Sequence, residues 1–596
     1  MAEFRFSPRP NRAAEINWHD WNNEAFDRAE KENKLILLAI SGVWCHWCHV
    51  MDETSYSDPR IIALINREFV AIRVDTDRRP DINQRYNLGG WPTTAILSPD
   101  GELITGGTYL PPDKLYHMLT RVNETYAKSG YKLRQEGVPL TRREQRFKAK
   151  KNQDGQLPPE DLIEKIETQI IMQYDRKWGG FGPGPKFPMV ETLLYAIDAY
   201  QRTGDNLWEE MFTRTMDKMA TKGMYDHVEG GFFRYSTDRE WRVPHYEKML
   251  EDNAQLMGAY LRAWQVTGAG WFLDVTYDVF NYLRNNLFLP EQHAWAGSHD
   301  ADEEYYLLDE KQRQRRPSPY IDRTIYTDWN ALLAENLLLM GILTGVERFV
   351  DASIRTLEGL WARSWDPKQG LAHYFTEGKA YLYRQLADAL AYGRAANLAY
   401  QVTGDYHWLE RARLLADFCL FHLEAPEGGF YDSIPDESFR GPLSRPGADP
   451  LVDARVARWL LELGFLTGIE RYGNSARKAL SRWDENYLLS YGAMAAGFAG
   501  ALLVADKPWT VVTVVGEKHD QQARNMVNES LRQYLPHRVV RWIDPVAERA
   551  LASQLAGPEL PHQATAYICT GETCLPPAHT ITELLKYQSE GFLNHR

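Results

Sequence analysis

Leu35-Ile36-Leu37-Leu38-Ala39-Ile40, bounded by Ser41-Gly42 and followed by Cys45-His46-Trp47-Cys48, decides how this chain begins to fold. The aliphatic run is short and ends at a turn signal, which predicts a buried parallel strand. The two cysteines fall where the next helix opens, one turn from each other. A helix N-terminus stabilises a thiolate, and the thiolate is the nucleophile of disulfide exchange, so the pair reads as a redox dithiol. His46 and His49 stand beside the sulfurs, and a zinc or structural pair is the other reading. Closed zinc sites draw their second pair of ligands from a distant segment, whereas positions 46 and 49 are local; this favours redox chemistry.

Outward from that stretch, Trp21 to Asn33 has helical spacing and the dithiol helix is read as running on through Ile61, Leu64 and Ile65. Phe69 to Val74 reads as a second strand and Asp81 to Tyr86 as a short helix. Gly89-Gly90-Trp91-Pro92 then leads into a strand ending at Leu97, Gly101 turns the chain into Glu102 to Thr105, and Asp113 to Tyr126 closes with a helix. The alternation predicts a mixed α/β sheet covered by helices. It looks like a thioredoxin fold, with Pro92 where the cis-proline loop packs against the dithiol; an ordinary trans proline opening a strand is the alternative.

From Pro158 to about Asp506 the pattern becomes long apolar helices joined by two alternating kinds of connection. One is tight and recurs as Thr203-Gly204, Thr267-Gly268, Thr344-Gly345, Thr403-Gly404 and Thr467-Gly468, glycine being the expected left-handed helix stop. The other is long and carries glycine-aromatic signatures at Gly179-Gly180-Phe181, Gly230-Gly231-Phe232 and Gly428-Gly429-Phe430. About twelve helices in six hairpins predict a ring, an (α/α)6 toroid, with every long connection at one end. There the second helix of each hairpin begins, so its N-terminus faces a pocket and favours anionic or hydroxyl-rich ligands.

The long connections hold Lys186, His227, Arg234, Tyr235, Asp238, His245, Glu247, Asp252, Asp300, Asp302, Trp329 and Asn330, with His373 and Asp388 further on. Histidines, carboxylates and aromatics at one rim suit sugar chemistry. Glycoside hydrolysis needs two carboxylates across a cleft, drawn from Asp238, Glu247, Asp252, Asp300 and Asp302. Epimerisation needs a base beside a carbonyl, for which His245 and His227 are the residues. Helix caps and solvated ion pairs account for the same residues without any ligand.

The chain has 596 residues, too many for one core. A net charge of −13, spread without an acidic tail, argues against nucleic acid as a partner. Five cysteines are too few for a disulfide framework, no apolar leader follows Met1, and no run reaches a membrane span, so a cytoplasmic protein is expected. Residues 131–157 read as a basic linker, and 507–596 as a small α/β lobe in which Cys569 and Cys574 are read as reduced thiols. Cys419, inside an apolar helix, reads as core.

Cys45-His46-Trp47-Cys48-His49-Val50-Met51, Arg73-Val74-Asp75, Gly89-Gly90-Trp91-Pro92, Gly107-Thr108-Tyr109, Pro185-Lys186-Phe187-Pro188, Arg234-Tyr235-Ser236 and Pro244-His245-Tyr246-Glu247-Lys248-Met249-Leu250 resemble, in order, the spermatogenesis-associated protein 20 and YyaL family. The resemblance implies a thioredoxin fold joined to a six-hairpin toroid similar to N-acylglucosamine 2-epimerase and six-hairpin glycosidases, with no assigned reaction. Asp322-Arg323-Thr324 and Leu451-Val452-Asp453 depart from the family pattern at the rim, while the dithiol segment matches it.

The resulting expectation is a multidomain α/β plus all-α protein: residues 1–130 thioredoxin-like, 158–506 the (α/α)6 barrel, 507–596 the lobe. Cys45 and Cys48 would exchange disulfides with a protein or small thiol, Pro92 would help dock the partner, and the barrel would bind or process carbohydrate. The alternatives are a sugar epimerase, isomerase or glycoside hydrolase using His245 with a regulatory redox domain, and a scaffold in which neither centre turns over. No cofactor and no metal are expected.

Overall fold

The computed structural model describes residues 4–135, 157–159, 161–434, 439–445, 447–556 and 561–593. Most of the expected linker lies outside them. The chain divides into two compact units, one made of Met1–Lys148, Ser298–Asp322 and Asp432–Gly447, the other of Ala149–Gly297, Arg323–Tyr431 and Ala448–Arg596. Among the described residues no helix is long and apolar enough to cross a membrane.

The first unit is built on a five-stranded sheet. Its elements are β1 (Trp18–His19), α1 (Asn23–Glu32), β2 (Leu35–Ser41), α2 (His46–Glu53), α3 (Pro59–Glu68), β3 (Phe69–Asp75), α4 (Pro80–Tyr86), β4 (Thr93–Leu97), β5 (Leu103–Gly107) and α5 (Pro112–Gln135). The strands lie in the order β1-β3-β2-β4-β5. β2 runs parallel to β3, with Leu35 opposite Phe69 and Ser41 opposite Asp75, and antiparallel to β4. This is the thioredoxin fold. From Leu35 to Ile40 β2 is apolar because both its faces are covered. Leu35, Leu37 and Ala39 pack with Met51, Ile61, Ile65 and Leu119, while Ile36, Leu38 and Ile40 pack with Phe26, Ile72, Val74 and Ile82. The dithiol helix does not run on to Ile65 as the sequence suggested. Asp58 caps a new helix by accepting the Arg60 N–H, and Pro59, which lacks an N–H, occupies its first turn.

Two segments from the barrel's long connections complete this unit. In Ser298–Asp322, Ser298 pairs with Asp322 and His299 with Ile321 as a short antiparallel ladder, and the Ala301 N–H donates to the Trp44 carbonyl at 3.3 Å. In Asp432–Gly447, the Asp432 carboxylate accepts both arms of the Arg85 guanidinium at 2.9 and 3.0 Å, and Leu443 joins the apolar cluster around Ile36.

In the second unit α6 (Asp161–Gln173), α8 (Asn206–Thr221), α10 (Gly270–Asn286), α12 (Glu347–Ser364), α14 (Tyr406–His422) and α16 (Glu470–Ser481) form an outer layer. The inner ring is α7 (Val190–Thr203), α9 (Leu250–Thr267), α11 (Thr327–Thr344), α13 (Leu386–Thr403), α15 (Pro450–Thr467) and α17 (Ala496–Asp506), each packed on the next and α17 back on α7. The ring is therefore closed. Five inner helices stop at the Thr-Gly pairs. In each, glycine takes φ between 66 and 73°, which a side chain would strain, and the threonine hydroxyl donates to the carbonyl one turn back, as from Thr203 to Ala199.

The lobe contains β6 (Thr510–Val515), α18 (Gln521–Arg532), β7 (Arg538–Ile543), β8 (Thr565–Thr570) and α19 (Ile581–Leu593). β6 is central, parallel to β7 and antiparallel to β8. It covers the tight-turn end of the ring: Lys518 Nζ donates to the Gly404 carbonyl at 2.9 Å, and Gln401 accepts the Val540 N–H at 2.9 Å. Cys569 and Cys574 are not two reduced thiols but a disulfide, formed because the two residues face each other across an antiparallel pair with Cα atoms 4.0 Å apart. Cys419 is fully buried in α14.

Candidate functional site

The first centre lies where β2 gives way to α2. Cys45 is the N-cap of that helix, and its Sγ accepts the Cys48 N–H at 3.2 Å. The amides of Cys48 and His49 turn back to the Cys45 carbonyl, so the first turn is wound around the sulfur. Cys45 and Cys48 are joined as a disulfide, and they are 4% and 2% exposed. Trp91-Pro92 is a cis peptide, the form that the thioredoxin reading expected. Trp91 meets Trp44 edge-on at 5.8 Å, and its indole N–H donates to the Thr76 hydroxyl at 2.9 Å. Trp47 stays exposed and leans on Tyr109.

The sequence presents Arg73 and Asp75 as part of a motif, and the structure gives them a role beside the sulfurs. Asp75 accepts the N–H groups of Val43, Asp77 and Arg78, tying the loop before Cys45 to the end of β3. Burial raises its carboxyl above the usual range, with Arg78 opposing. Below the sheet end, Arg73 donates to both oxygens of Asp52 at 2.8 and 3.0 Å, and both residues are buried. Burial, reinforced by the charge of Arg5, pushes His49 down to about 3, so its imidazole is neutral and its approach to Asp300 at 3.9 Å is a polar contact, not an ion pair. Asp300, expected at the barrel rim, belongs to this unit and accepts from Arg5 at 2.6 Å. Asp302 also belongs here, as the N-cap of Glu303–Tyr306.

The second centre gathers at the N-termini of the inner helices. His245 stacks on Tyr235 with centroids 4.7 Å apart, and Tyr235 stacks on the exposed Phe187 at the same spacing. His245 Nδ1 lies 3.6 Å from Glu247 Oε1. Burial pushes the Glu247 carboxyl up, but His245 and Arg234 outweigh it and hold it below its ordinary value. Glu251 and Asp252, the next carboxylates along, are raised to about 7, chiefly by burial, with Arg234 opposing in both. Asp328 is raised to about 7 by burial against the opposing pull of His373, whose Nδ1 sits 3.1 Å from Asp388 Oδ1. Glu251 was not singled out by the sequence reading, although its place in the first turn of a ring helix was visible.

Other rim residues are committed to the scaffold. Lys186 is buried against Asp175 at 3.0 Å and the Gly182 carbonyl, and Asp238 accepts the N–H groups of Glu240, Arg242 and Val243 within its own loop. His227 is exposed, beside the Lys222 carbonyl. Asn330 accepts the Trp295 N–H and donates to the Trp295 carbonyl, at 2.8 and 3.0 Å, and Trp329 is buried on Tyr326. Asn253 holds Phe232 in the same way, and Asp453 accepts the Phe430 N–H. All three are the fourth residue of their ring helix, so one device fixes three long connections.

Fold and sites together define a thioredoxin-like unit with a capped cysteine pair, accompanied by an (α/α)6 barrel with a carboxylate-rich end. A family model, Thioredox_DsbH, described as "Protein of unknown function, DUF255", matches residues 9–143. Spermatogenesis-associated protein 20 of Homo sapiens is 25% identical over an alignment of 718 residues that covers 96% of this chain and 89% of that protein. The protein of the same name in Rattus norvegicus is 34% identical over 308 residues, 48% of this chain and 38% of its own. The chain therefore resembles spermatogenesis-associated protein 20 along nearly its whole length. Among solved structures, cellobiose 2-epimerase from Spirochaeta thermophila is 14% identical with a TM-score of 0.46, covering 58% of this chain and 95% of its own.

Proposed function

We propose that the chain is a thiol-disulfide redox protein whose reactive pair is Cys45 and Cys48. The observation that carries this reading is the seat of Cys45, an N-cap whose sulfur receives the Cys48 N–H at 3.2 Å. A donor aimed at sulfur, at the positive end of a helix, stabilises the thiolate over the thiol. In the reduced protein the Cys45 thiolate attacks one sulfur of a partner disulfide and expels the other as a thiol. Cys48 then attacks Cys45 in the mixed disulfide, releasing the second partner thiol and leaving the Cys45–Cys48 bond. With Cys45 only 4% exposed, a small disulfide such as oxidised glutathione suits the site better than a folded protein surface. Turnover of glutathione disulfide and of insulin by the wild type and by Cys45→Ser tests the reading. Equal rates in the two proteins would remove it.

A second reading concerns the barrel, as a carbohydrate-binding or carbohydrate-converting site. It is supported by the Phe187-Tyr235-His245 stack beside Glu247, an aromatic platform joined to an acid-base pair. His245 would remove the proton next to a sugar carbonyl. Deuterium wash-in from heavy water across a panel of reducing sugars, in wild type and His245→Ala, checks it; absence of exchange in the wild type leaves binding without conversion.

A further inference from the structure

At the N-terminal end of the ring, three side chains from three elements converge outside the His245 platform. Asp328 is the second residue of α11, Asp388 the third of α13, and His373 lies on the strand Gly370–Thr376 between them. One ligand atom from each lies within 4.8 Å of the others. His373 Nδ1 is 3.1 Å from Asp388 Oδ1 and 4.0 Å from Asp328 Oδ1. Asp388 and His373 are buried, which fixes both against rearrangement.

We propose that Asp328, His373 and Asp388 bind one divalent cation of the manganese and zinc class. Ligand atoms held about 2.0–2.2 Å from a shared ion sit roughly 3–4 Å from one another, and the two separations from His373 Nδ1, 3.1 and 4.0 Å, match that spacing. An imidazole with two carboxylates suits a first-row divalent metal better than calcium or a soft cuprous ion. Three protein ligands leave coordination positions for water or a ligand hydroxyl.

Further carboxylates at the same end of the ring add negative charge. Asp252 Oδ2 and Glu247 Oε2 are buried without a hydrogen-bond partner, and Glu247 is 3% exposed. The charges of Glu251 and Glu247 help raise the Asp252 carboxyl, and that of Asp328 helps raise Glu251. The charges of Arg455, Arg234 and His373 oppose the rise at Glu251, Arg234 opposes it at Asp252, and His373 at Asp328. A cation at Asp328 would relieve that repulsion.

The cation site is independent of the dithiol reading, and its test uses the oxidised full-length protein with manganese, which thiols bind poorly. Titration followed by manganese paramagnetic resonance and calorimetry is expected to show one saturable site per chain. Asp388→Asn and His373→Gln should each weaken it by about tenfold or more, while Asp238→Asn should leave it unchanged. Circular dichroism and the cooperativity of urea unfolding identify a variant that has failed to fold, and Asp328→Asn then serves in its place. Failure of the wild type to bind manganese or zinc saturably, or equal binding by folded ligand variants, overturns the proposal.

Discussion

Arg5 and Asp300 are joined at 2.6 Å, a pair that fastens Ser298–Asp322 beside the loop leading into Cys45. The same guanidinium also donates to the Val43 carbonyl and lies 3.8 Å from the centroid of the Tyr320 ring. A charge-assisted bond of this kind contributes about 1–2 kcal/mol to local closure. Asp300→Ala is therefore expected to raise the alkylation rate of Cys45 in the reduced protein by roughly 5- to 30-fold, read by timed iodoacetamide trapping. An unchanged rate would show that Cys45 is reached without moving this segment.

The Asp52–Arg73 pair is buried, with oxygens and nitrogens 2.8–3.0 Å apart. Removing one partner strands the other charge, so Asp52→Ala should cost about 3–5 kcal/mol in urea denaturation. Replacing both by apolar residues of similar volume should recover most of that loss, because the pair's desolvation cost disappears with its attraction.

His49 gives a pH signature with a defined sign. Its folded value of about 3 lies below the ordinary 6.5. Between those values the unfolded chain binds a proton that the folded chain does not, so stability falls as pH drops from about 6.5 towards 3. His49→Gln should flatten this part of the stability profile, measured by urea midpoints at intervals across that range.

Asn253 and Asn330 each satisfy both backbone groups of a buried aromatic residue. Asn253→Ala and Asn330→Ala leave those groups unpaired and should each lower stability by about 1–3 kcal/mol, with glutathione disulfide turnover unchanged. Loss of turnover alongside stability would mean that the two units are energetically coupled.

The disulfides make a simple count. With Cys45–Cys48 and Cys569–Cys574 bonded and Cys419 buried, the oxidised native protein should show no thiol reactive to Ellman's reagent, and one thiol after unfolding without reductant.

The sheet around β2 and the ring helices were legible because their signals are local. An aliphatic run, a helix stop or a Thr-Gly pair acts on its own neighbours, and repetition of the last exposes a closed ring. Residues whose partners lie far along the chain were not legible. Asp300 and Asp302 were assigned to the barrel because they sit in one of its connections, yet they fold with the thioredoxin-like unit. Arg5 lies 295 positions from the carboxylate it holds. Glu251 and Asp328 look like ordinary first-turn acids of a helix. Their raised carboxyls follow from burial at the end of a closed ring, which no single helix announces. The Asn253, Asn330 and Asp453 clamps share a helix position but not a residue type, so the motif escapes pattern matching.

The discontinuous composition of the first unit sets an order of events during synthesis. The sheet strands and the cysteine pair leave the ribosome early, whereas Ser298–Asp322 and Asp432–Gly447 follow only after much of the barrel has been translated. For that interval the nascent sulfurs stand without the segment anchored by Arg5. The Ala301 N–H bond to the Trp44 carbonyl, one residue before Cys45, is thus a contact that the finished molecule has and the growing chain still lacks.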